Sequence, residues 1–399
     1  MKKFVKALLL TVVLFACDSV FALEIYSNNI VMYQLNDDKV VYQMRKDDRV
    51  SIASMTKVMT TIVAIEHISD VNDTLVITDE MFSGLYEEGA SLAGFHVGQQ
   101  VTYLDLLYGA MLPSGAEATR ALALTIAGSE DAFVEMMNEK AIALGLSNTH
   151  FVNTTGLDVY GHYSTVDDVA RIFMYALKNP LFYDIISNRS YTISDGSLTF
   201  SSTIARYTDR YDLSLPYLIG GKTGFTLDAG YCLVSVAKKD GITYLVASAG
   251  VPADSSYPYH VLDAQTLYEF FYENYGYQKV VSKDLEVGSI PVKYGKVDQV
   301  LVSIPEDKVY YLENDYQDAV RFETDFISEV TYRMKRGERL GTYSIYYNDE
   351  LLDEIVLTLN EDMHFSILSY FKVNWKWICG VGSVLILVIV FLVHKVRHS

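Results

Sequence analysis

The sequence contains few cysteines, few prolines and few cationic residues for its length. Its 399 residues include three cysteines and seven prolines, and 50 Asp and Glu outnumber 32 Lys and Arg. Three cysteines exclude a disulfide-rich scaffold. The net charge of −18 argues against nucleic acid as a partner, because phosphate binding needs an excess of Lys and Arg. Half of the residues are hydrophobic, which is typical of a folded chain long enough for two domains.

The N-terminal 22 residues have the composition of a secretory signal peptide. Three lysines within the first six residues precede the apolar run 7–16, and Val20-Phe21-Ala22 provides small residues at positions −3 and −1 of a cleavage site. The run is short for a membrane span, which makes an uncleaved anchor the weaker alternative. A second alternative is lipidation at Cys17. We therefore expect residues 1–22 to be removed on export.

The C-terminal residues predict a membrane anchor. No charged residue occurs from Trp377 to Val393, and Trp375 and Trp377 are typical interfacial residues. Lys395 and Arg397 follow the run, and basic residues mark the cytoplasmic side, which argues against the alternative of a buried core helix. The predicted segments are a transmembrane helix at 375–394, a cytoplasmic tail at 395–399 and an extracellular part at 23–374.

The predicted extracellular part is more acidic than the whole chain. It holds 26 basic and 49 acidic residues, a net charge of −23. Cys232 is its only cysteine, so no intramolecular disulfide can form there. The apolar neighbours of Cys232 predict a buried strand residue rather than a reactive thiol. No pair of its histidines has the spacing of metal ligands, so neither a metal nor another cofactor is expected.

The pattern of apolar residues predicts an α+β domain at 23–276 and a small β-rich domain at 277–366. Alternating runs at both ends of the first domain predict strands, and helical spacing dominates its middle. We expect one antiparallel sheet assembled from both ends of that domain and packed with helices. The predicted helices are 54–68, 103–112, 116–127, 130–144 and 259–274, and the predicted strands are two within 24–48, then 221–227, 230–238, 242–251, 299–304, 342–347 and 354–359.

The clearest local motif is Ser54-Met55-Thr56-Lys57, at the start of a helix with few charges. Three residues make about one helical turn, so the Ser54 hydroxyl and the Lys57 amine lie on one face. A buried lysine is costly unless its pKa falls or it finds a partner. A neutral lysine beside a serine can activate the hydroxyl as a nucleophile. The alternative is that Ser54 is only an N-cap.

Two further segments carry polar residues between predicted elements. Gly220-Gly221-Lys222-Thr223-Gly224 opens a predicted strand; a phosphate-binding loop is excluded because Pro216 stands at its first required glycine and no helix follows. Leu112-Pro113-Ser114-Gly115-Ala116 is a turn between two helical runs. Taken alone, that turn is more typical of a helix cap than of a site.

In this order, S-x-x-K, a serine-containing turn and K-T-G are the signature set of serine acyl-transfer enzymes that handle penicillin. The sequence resembles the low-molecular-mass penicillin-binding proteins that act as D-alanyl-D-alanine carboxypeptidases. The resemblance extends over nearly the whole chain. Besides the three motifs it includes Asp105-Leu106-Leu107-Tyr108-Gly109, Met136-Met137-Asn138, Gly156-Leu157, His162-Tyr163-Ser164-Thr165, Ala229-Gly230-Tyr231-Cys232 and the run from Lys335 to Gly341.

The resemblance implies a fold and a first catalytic step. The fold is the penicillin-binding/β-lactamase-like transpeptidase fold, followed by an all-β domain and the membrane anchor. Ser54 would attack the carbonyl between the two terminal D-alanines of a peptidoglycan stem peptide, with Lys57 as general base. The backbone N–H groups of Ser54 and Phe225 would form the oxyanion hole. β-Lactam antibiotics would acylate Ser54 and remain bound.

The resemblance also assigns roles in proton transfer and substrate binding. Ser114 would relay a proton toward the leaving amine, and Lys222 would supply the field that keeps Lys57 neutral. Lys222 and Thr223 would receive the terminal carboxylate of the substrate. Gly224 and Phe225 would complete the substrate-binding strand.

Two positions depart from the family pattern and leave alternatives open. Ala116 stands where the family usually has Asn, which makes a weakly active or non-catalytic binding protein conceivable. His260 aligns with an Arg that helps to bind the carboxylate, and it would make binding pH-dependent. A β-lactamase is the less favoured rival, because the pattern E-x-x-L-N of its deacylating Glu is absent from the sequence.

Overall fold

The computed structural model describes residues 23–215 and 217–397. The predicted signal peptide and Cys17 lie outside these residues. The chain divides into two compact units, with the boundary between Tyr272 and Glu273.

The first unit contains nine strands and the helices α1–α8 among the described residues. Its strands are β1 (Asn29–Gln34), β2 (Lys39–Met44), β3 (Thr74–Val76), β4 (Gln100–Thr102), β5 (Ser190–Thr192), β6 (Thr199–Ser201), β7 (Leu218–Thr226), β8 (Gly230–Lys239) and β9 (Ile242–Val251). Its helices are α1 (Thr56–His67), α2 (Tyr103–Met111), α3 (Ala116–Ala127), α4 (Glu130–Ala143), α5 (Val166–Ala176), α6 (Pro180–Ser187), α7 (Thr203–Tyr211) and α8 (Tyr259–Asn274), whose last turn crosses the boundary.

A five-stranded antiparallel sheet forms the centre of this unit, in the order β2-β1-β9-β8-β7. Strand β1 pairs with β9, so the N-terminal hairpin joins strands from the other end of the domain. The prediction of a sheet assembled from both ends is confirmed. Strand β7 lies at the edge and carries Lys222-Thr223-Gly224.

Helix α1 lies in the core, as its apolar composition predicts. All nine residues from Thr56 to Ala64 are buried. The Thr60 hydroxyl donates to the Thr154 carbonyl at 2.8 Å, which satisfies a polar group on the buried face. A single 3-10 turn, Ala53–Met55, precedes α1 and places Ser54 at the N-terminal end of that helix.

The second unit is β-rich, as predicted, and ends in a long apolar helix. Apart from the last turn of α8, its elements are β10 (Tyr275–Val281), β11 (Glu286–Lys293), β12 (Gln299–Ser303), β13 (Lys308–Glu313), β14 (Val320–Phe326), β15 (Val330–Thr331), β16 (Arg339–Tyr347), β17 (Glu350–Thr358) and the helix α9 (Ile367–Arg397). Helix α9 is long and apolar enough to cross a membrane and is compatible with the predicted anchor. It begins eight residues before the predicted start at 375.

Candidate active site

A cleft of about 360 Å³ lies beside the edge strand β7. Its lining comes from the start of α1, the turn before α3, the strand β7, the helix α7 and the loops at 89–91 and 155–157. Six of the seven residues predicted to serve a site line it: Ser54, Lys57, Ser114, Thr223, Gly224 and Phe225. The seventh, Lys222, is fully buried and contacts Ser114.

Ser54 and Lys57 form a hydrogen-bonded pair on one face of the first helical turns. Lys57 Nζ donates to Ser54 Oγ at 2.9 Å, as their spacing predicts. Burial lowers the pKa of Lys57 to about 7, so a large share of the amine is neutral at physiological pH. No side chain caps this helix start, and the N-cap alternative for Ser54 is therefore wrong.

The loop at 155–157 fixes the Lys57 amine from the other side. Lys57 Nζ also donates to the Thr155 carbonyl at 2.6 Å. Gly156 has φ +82°, and a Cβ there would lie 1.9 Å from the Ala53 carbonyl oxygen. Only glycine lets this loop approach the start of the helix so closely.

Ser114 and Lys222 form a second serine–lysine pair. Lys222 Nζ donates to Ser114 Oγ at 2.8 Å and to the Thr223 carbonyl at 2.7 Å. Burial, and then the charges of Lys57 and Arg206, hold the pKa of Lys222 well below its usual value. Helix α3 begins after Ser114 without a side-chain cap, so the helix-cap alternative is also wrong.

Two residues next to or within these pairs have unusual backbone conformations. Ala53 and Ser114 adopt left-handed φ values of +45° and +71°. Such angles are uncommon outside glycine and persist where the surrounding structure enforces them, as at active sites.

The edge strand β7 brings backbone groups close to Ser54. A Cβ at Gly224 would lie 3.0 Å from the Ser54 nitrogen, which explains the glycine at this position. Phe225 is 45 % exposed and lines the cleft. The Thr223 hydroxyl donates to the hydroxyl of Thr203, the first residue of α7.

Ala116 is buried next to a carboxylate that sequence reasoning missed. Glu117 is fully buried, and its Oε1 accepts the backbone N–H groups of Ala93 and Gly94 at 2.7 and 2.9 Å. Burial raises the pKa of Glu117, and its charge in turn raises the pKa of Lys57. Its Oε2 has no hydrogen-bond partner among the described residues. An acidic residue in the first turn of an apolar helix is the sequence signal that could have identified Glu117.

Two arginines of α7 complete the cleft, and sequence reasoning missed them as well. Arg206 and Arg210 lie one helical turn apart and line the cleft together with Tyr207. Both side chains are exposed, and neither has a carboxylate within ion-pair distance in the described ranges. The basic i, i+4 spacing is the sequence signal that could have identified them.

His260 does not reach the cleft. It is fully buried, and burial lowers its pKa to about 3. Its ring stacks on Tyr231 at 5.3 Å and meets the edge of Tyr207 at 4.9 Å. A neutral, buried imidazole cannot attract a carboxylate, so the expectation that His260 replaces an arginine is wrong. Cys232 is buried in β8 as predicted, and burial raises its thiol pKa to about 12.

Comparison with known proteins identifies the family. Residues 17–251 match the D-alanyl-D-alanine carboxypeptidase family (peptidase S11). This chain belongs to the D-alanyl-D-alanine carboxypeptidase family. It is therefore a serine-type peptidase, and residues 275–364 match the C-terminal domain of penicillin-binding protein 5.

Relatives of this carboxypeptidase family support the same assignment. The chain is 28 % identical over 348 residues to D-alanyl-D-alanine carboxypeptidase DacF of Bacillus subtilis, covering 84 % of this chain and 86 % of the relative. It is 36 % identical over 230 residues to the D-alanyl-D-alanine carboxypeptidase of Streptomyces sp. K15, covering 54 % and 79 %.

Solved structures confirm the α+β fold expected from the resemblance. Penicillin-binding protein 5 from Haemophilus influenzae superposes with a TM-score of 0.61 at 24 % identity, covering 86 % of this chain and 98 % of that one. The Streptomyces K15 DD-transpeptidase superposes with a TM-score of 0.56 at 28 % identity, covering 63 % and 98 %.

Proposed function

We propose that the protein removes the terminal D-alanine from peptidoglycan stem pentapeptides through an acyl-enzyme on Ser54. The observation that carries the proposal is the 2.9 Å hydrogen bond from Lys57 to Ser54 inside the cleft. A lysine with a pKa of about 7 can accept the serine proton near neutral pH. Two relatives covering most of this chain are named D-alanyl-D-alanine carboxypeptidases.

Acylation proceeds in two proton-coupled steps. Lys57 takes the proton of the Ser54 hydroxyl as its oxygen attacks the carbonyl carbon of the penultimate D-alanine. The backbone N–H groups of Ser54 and Phe225 stabilise the oxyanion. Ser114 then gives its proton to the leaving nitrogen, the C–N bond breaks, and the proton that Lys57 took from Ser54 passes to Ser114, which leaves Lys57 neutral again. The charge field of Lys222, bonded to Ser114, favours this transfer. Terminal D-alanine leaves as the free amine.

Deacylation uses Lys57 and the oxyanion hole again, with water in place of Ser54 as the nucleophile. Water loses a proton to neutral Lys57 and attacks the acyl carbonyl held against the Ser54 and Phe225 N–H groups. The ester bond breaks, the proton returns to the Ser54 oxygen, and the shortened peptide leaves. Ser54 can attack the carbonyl of a β-lactam ring in the same way as the substrate carbonyl, so we expect penicillin to acylate Ser54.

The terminal carboxylate of the substrate binds beside β7. Thr223 and Arg206 line this side of the cleft, and the buried Lys222 amine is bonded to Ser114 and to the Thr223 carbonyl beside them. Gly224 allows the close approach of the strand. Local cations are needed because the extracellular part carries a net charge of −23, from 26 basic and 49 acidic residues. Arg206 takes the role that the sequence assigned to His260.

The proposed topology places the catalytic domain outside the membrane. We propose a signal peptide at 1–22, a catalytic domain at 23–276, a β-rich domain at 277–366, a transmembrane segment at 375–394 and a cytoplasmic tail at 395–399. The apolar helix α9 supports the anchor. The catalytic domain then faces the cell wall, where its stem-peptide substrate is found.

Ala116 favours a second candidate, a weakly active or non-catalytic penicillin-binding protein. An amide at this position would contact the catalytic lysine and the substrate backbone, and Ala116 offers neither contact. Against that candidate, Lys57 retains both its bond to Ser54 and its bond to Thr155. A β-lactamase is a less favoured third candidate.

To distinguish these candidates, the full chain in detergent is incubated with labelled penicillin and, separately, with a stem pentapeptide. We expect stable label on the protein and release of D-alanine, with both lost in Ser54→Ala. Ser91→Ala is the matched control, because Ser91 lines the same cleft but has no proposed role.

Each candidate has its own outcome in this assay. Label without D-alanine release supports the binding protein, and Ala116→Asn should then restore release. Rapid loss of label supports the β-lactamase. Absence of label in the unmodified protein contradicts the whole proposal.

A further inference from the structure

The loop 294–298 of the β-rich unit contacts the first turns of α9. The Tyr294 ring lies 5.0 Å from the Tyr370 ring, and its hydroxyl donates to Asn374 Oδ1 at 3.4 Å. At the other end of the loop, Asp298 pairs with Lys372 at 3.4 Å. The loop is therefore tied to α9 between residues 370 and 374.

These contacts place the loop at a defined depth if α9 spans a bilayer. The uncharged run begins at Trp377, and a helix rises about 1.5 Å per residue, so Asn374 and Lys372 lie about 5 and 8 Å above the hydrocarbon. The headgroup layer is about 5–8 Å thick on each side. Loop 294–298 thus lies at headgroup depth, where its Lys296 and Val297 side chains are exposed.

A second segment of the β-rich unit reaches the same end. The ring of Tyr332 contacts that of Phe365 at 5.0 Å, two residues before α9 begins. The Arg336 N–H donates to Asp362 Oδ1 at 3.0 Å, which holds the segment 332–336 against the chain entering α9. Phe365 is 45 % exposed, so an aromatic ring also faces outward here.

Charge distinguishes this end from the rest of an acidic protein. Its carboxylates at 298, 329 and 362 are each paired with a lysine, at 372, 293 and 335 respectively. At this end, the described cations without a carboxylate in ion-pair distance are Lys296, Arg333, Arg336 and Lys376. The unpaired carboxylates nearby in sequence are Glu338 and Glu361, so the unpaired charge is predominantly positive.

We propose that this membrane-facing end, formed by loop 294–298, segment 332–336 and residues 365–376, docks on anionic phospholipid headgroups. Exposed cations among aromatic side chains suit the phosphate layer of a bilayer. A single membrane-spanning helix is free to tilt in the bilayer, and the β-rich unit tied to it tilts with it. Docking removes that freedom and fixes the tilt of the unit on the membrane. The proposal rests on the proposed membrane span of α9.

The test uses the full chain in nanodiscs that contain a headgroup-spin-labelled lipid. Trp375 and Trp377 are the only tryptophans, so changing both to Phe gives a background for single-tryptophan probes. Val297→Trp reports on the membrane-facing end. Leu351→Trp is the matched control, because Leu351 is at least as exposed as Val297. It lies seven residues, about 23 Å along the strand, from Thr358, the end of β17 that leads toward α9.

We expect strong quenching of the Val297→Trp probe in phosphatidylglycerol nanodiscs and none of the Leu351→Trp probe. Lys296→Gln and Arg333→Gln should each lower the docked-to-undocked ratio about fivefold. Equal emission of the two probes overturns the proposal. Quenching that is the same in phosphatidylcholine and in the Gln variants overturns its charge dependence.

A separate measurement tests the span on which the proposal rests. In the unmodified chain, Trp375 and Trp377 should be quenched in both lipids. If they are not, α9 does not enter the bilayer, and the docking proposal is contradicted while the penicillin assay on Ser54 is unaffected.

Discussion

The cleft has a buried floor, which holds Lys57 and Lys222, and an exposed rim, which holds Arg206 and Arg210. The two regions differ in how they hold these cations. On the floor, Lys57 and Lys222 are 2 % and 0 % exposed, and each amine donates to a serine and to a backbone carbonyl. On the rim, Arg206 and Arg210 are exposed and have no ion-pair partner in the part of the chain that the structure describes. Burial depresses the lysine pKa values, whereas an arginine keeps its charge.

This difference assigns separate tasks to the two regions. A desolvated lysine exchanges protons near neutral pH and so belongs to the chemical step. An exposed guanidinium offers a permanent charge with two parallel N–H donors and so belongs to carboxylate capture. Changes on the floor should therefore lower kcat, and changes on the rim should raise KM.

Lys57→Gln should have the largest effect. Glutamine can still donate to Ser54 but cannot accept its proton, so we expect kcat to fall about 10²- to 10⁴-fold. The rate of labelling by penicillin should fall in parallel. Lys178→Gln, on an exposed turn outside the cleft lining, is the control. A variant that retained full acylation would exclude Lys57 as the general base.

Arg206→Ala should act mainly on substrate binding at the rim. Loss of a charge-assisted hydrogen bond predicts a rise in KM of about tenfold with kcat nearly unchanged. Arg189→Ala is the matched control, since Arg189 is exposed, pairs with Asp209 and lies outside the cleft lining. A fall in kcat with constant KM would place Arg206 in the chemical step and break the contrast between the two regions.

The floor could be predicted from the sequence to different degrees. The Ser54–Lys57 contact follows from helical spacing, because both residues lie within one turn. Ser114 and Lys222 are 108 residues apart, and no local pattern joins them; the family resemblance did. Glu117 was missed because its partners, the N–H groups of Ala93 and Gly94, belong to a loop that only the fold brings near.

The rim was missed because its helix has only a weak apolar pattern, although the basic i, i+4 spacing was present in the sequence. Helix α7 has nine residues and buries only Ile204 and Ala205, so its apolar periodicity is too short to stand out. His260 was misassigned because alignment gives a position along the chain and not its burial. In the fold, alternating runs predicted a sheet assembled from both ends of the domain but not its strand order. The three-residue strands β3–β6 have too few residues for a pattern.

Glu117→Gln tests whether the Glu117 charge sets the pKa of Lys57. Lys57 must be neutral to act, so activity should rise with pH through its pKa of about 7. The Glu117 charge raises that pKa; removing it should move the acid limb to lower pH, by less than about one unit. Glutamine Oε1 can still accept from Ala93 and Gly94. Glu135→Gln, on the exposed face of α4, should leave the pH–rate profile unchanged.

His260→Phe should have the smallest effect on catalysis and a distinct effect on stability. A phenyl ring can keep the contacts with Tyr207 and Tyr231, so kcat and KM should stay within about twofold. It also removes two buried ring nitrogens that have no hydrogen-bond partner among the described residues, which should raise the free energy of unfolding by about 1 kcal/mol. A clear rise in KM would instead return His260 to the carboxylate site.

The pH dependence of unfolding separates these two roles of His260. Its folded pKa of about 3 lies below the ordinary value of 6.5, so its neutral form stabilises the fold above pH 6.5. That contribution is lost as pH falls from 6.5 toward 3, because the unfolded chain binds the proton first. The phenylalanine variant should therefore lose stability less steeply between pH 6.5 and 4 in urea titrations. Parallel curves would show that His260 is not buried in its neutral form and would contradict the assignment of a purely structural role to this residue.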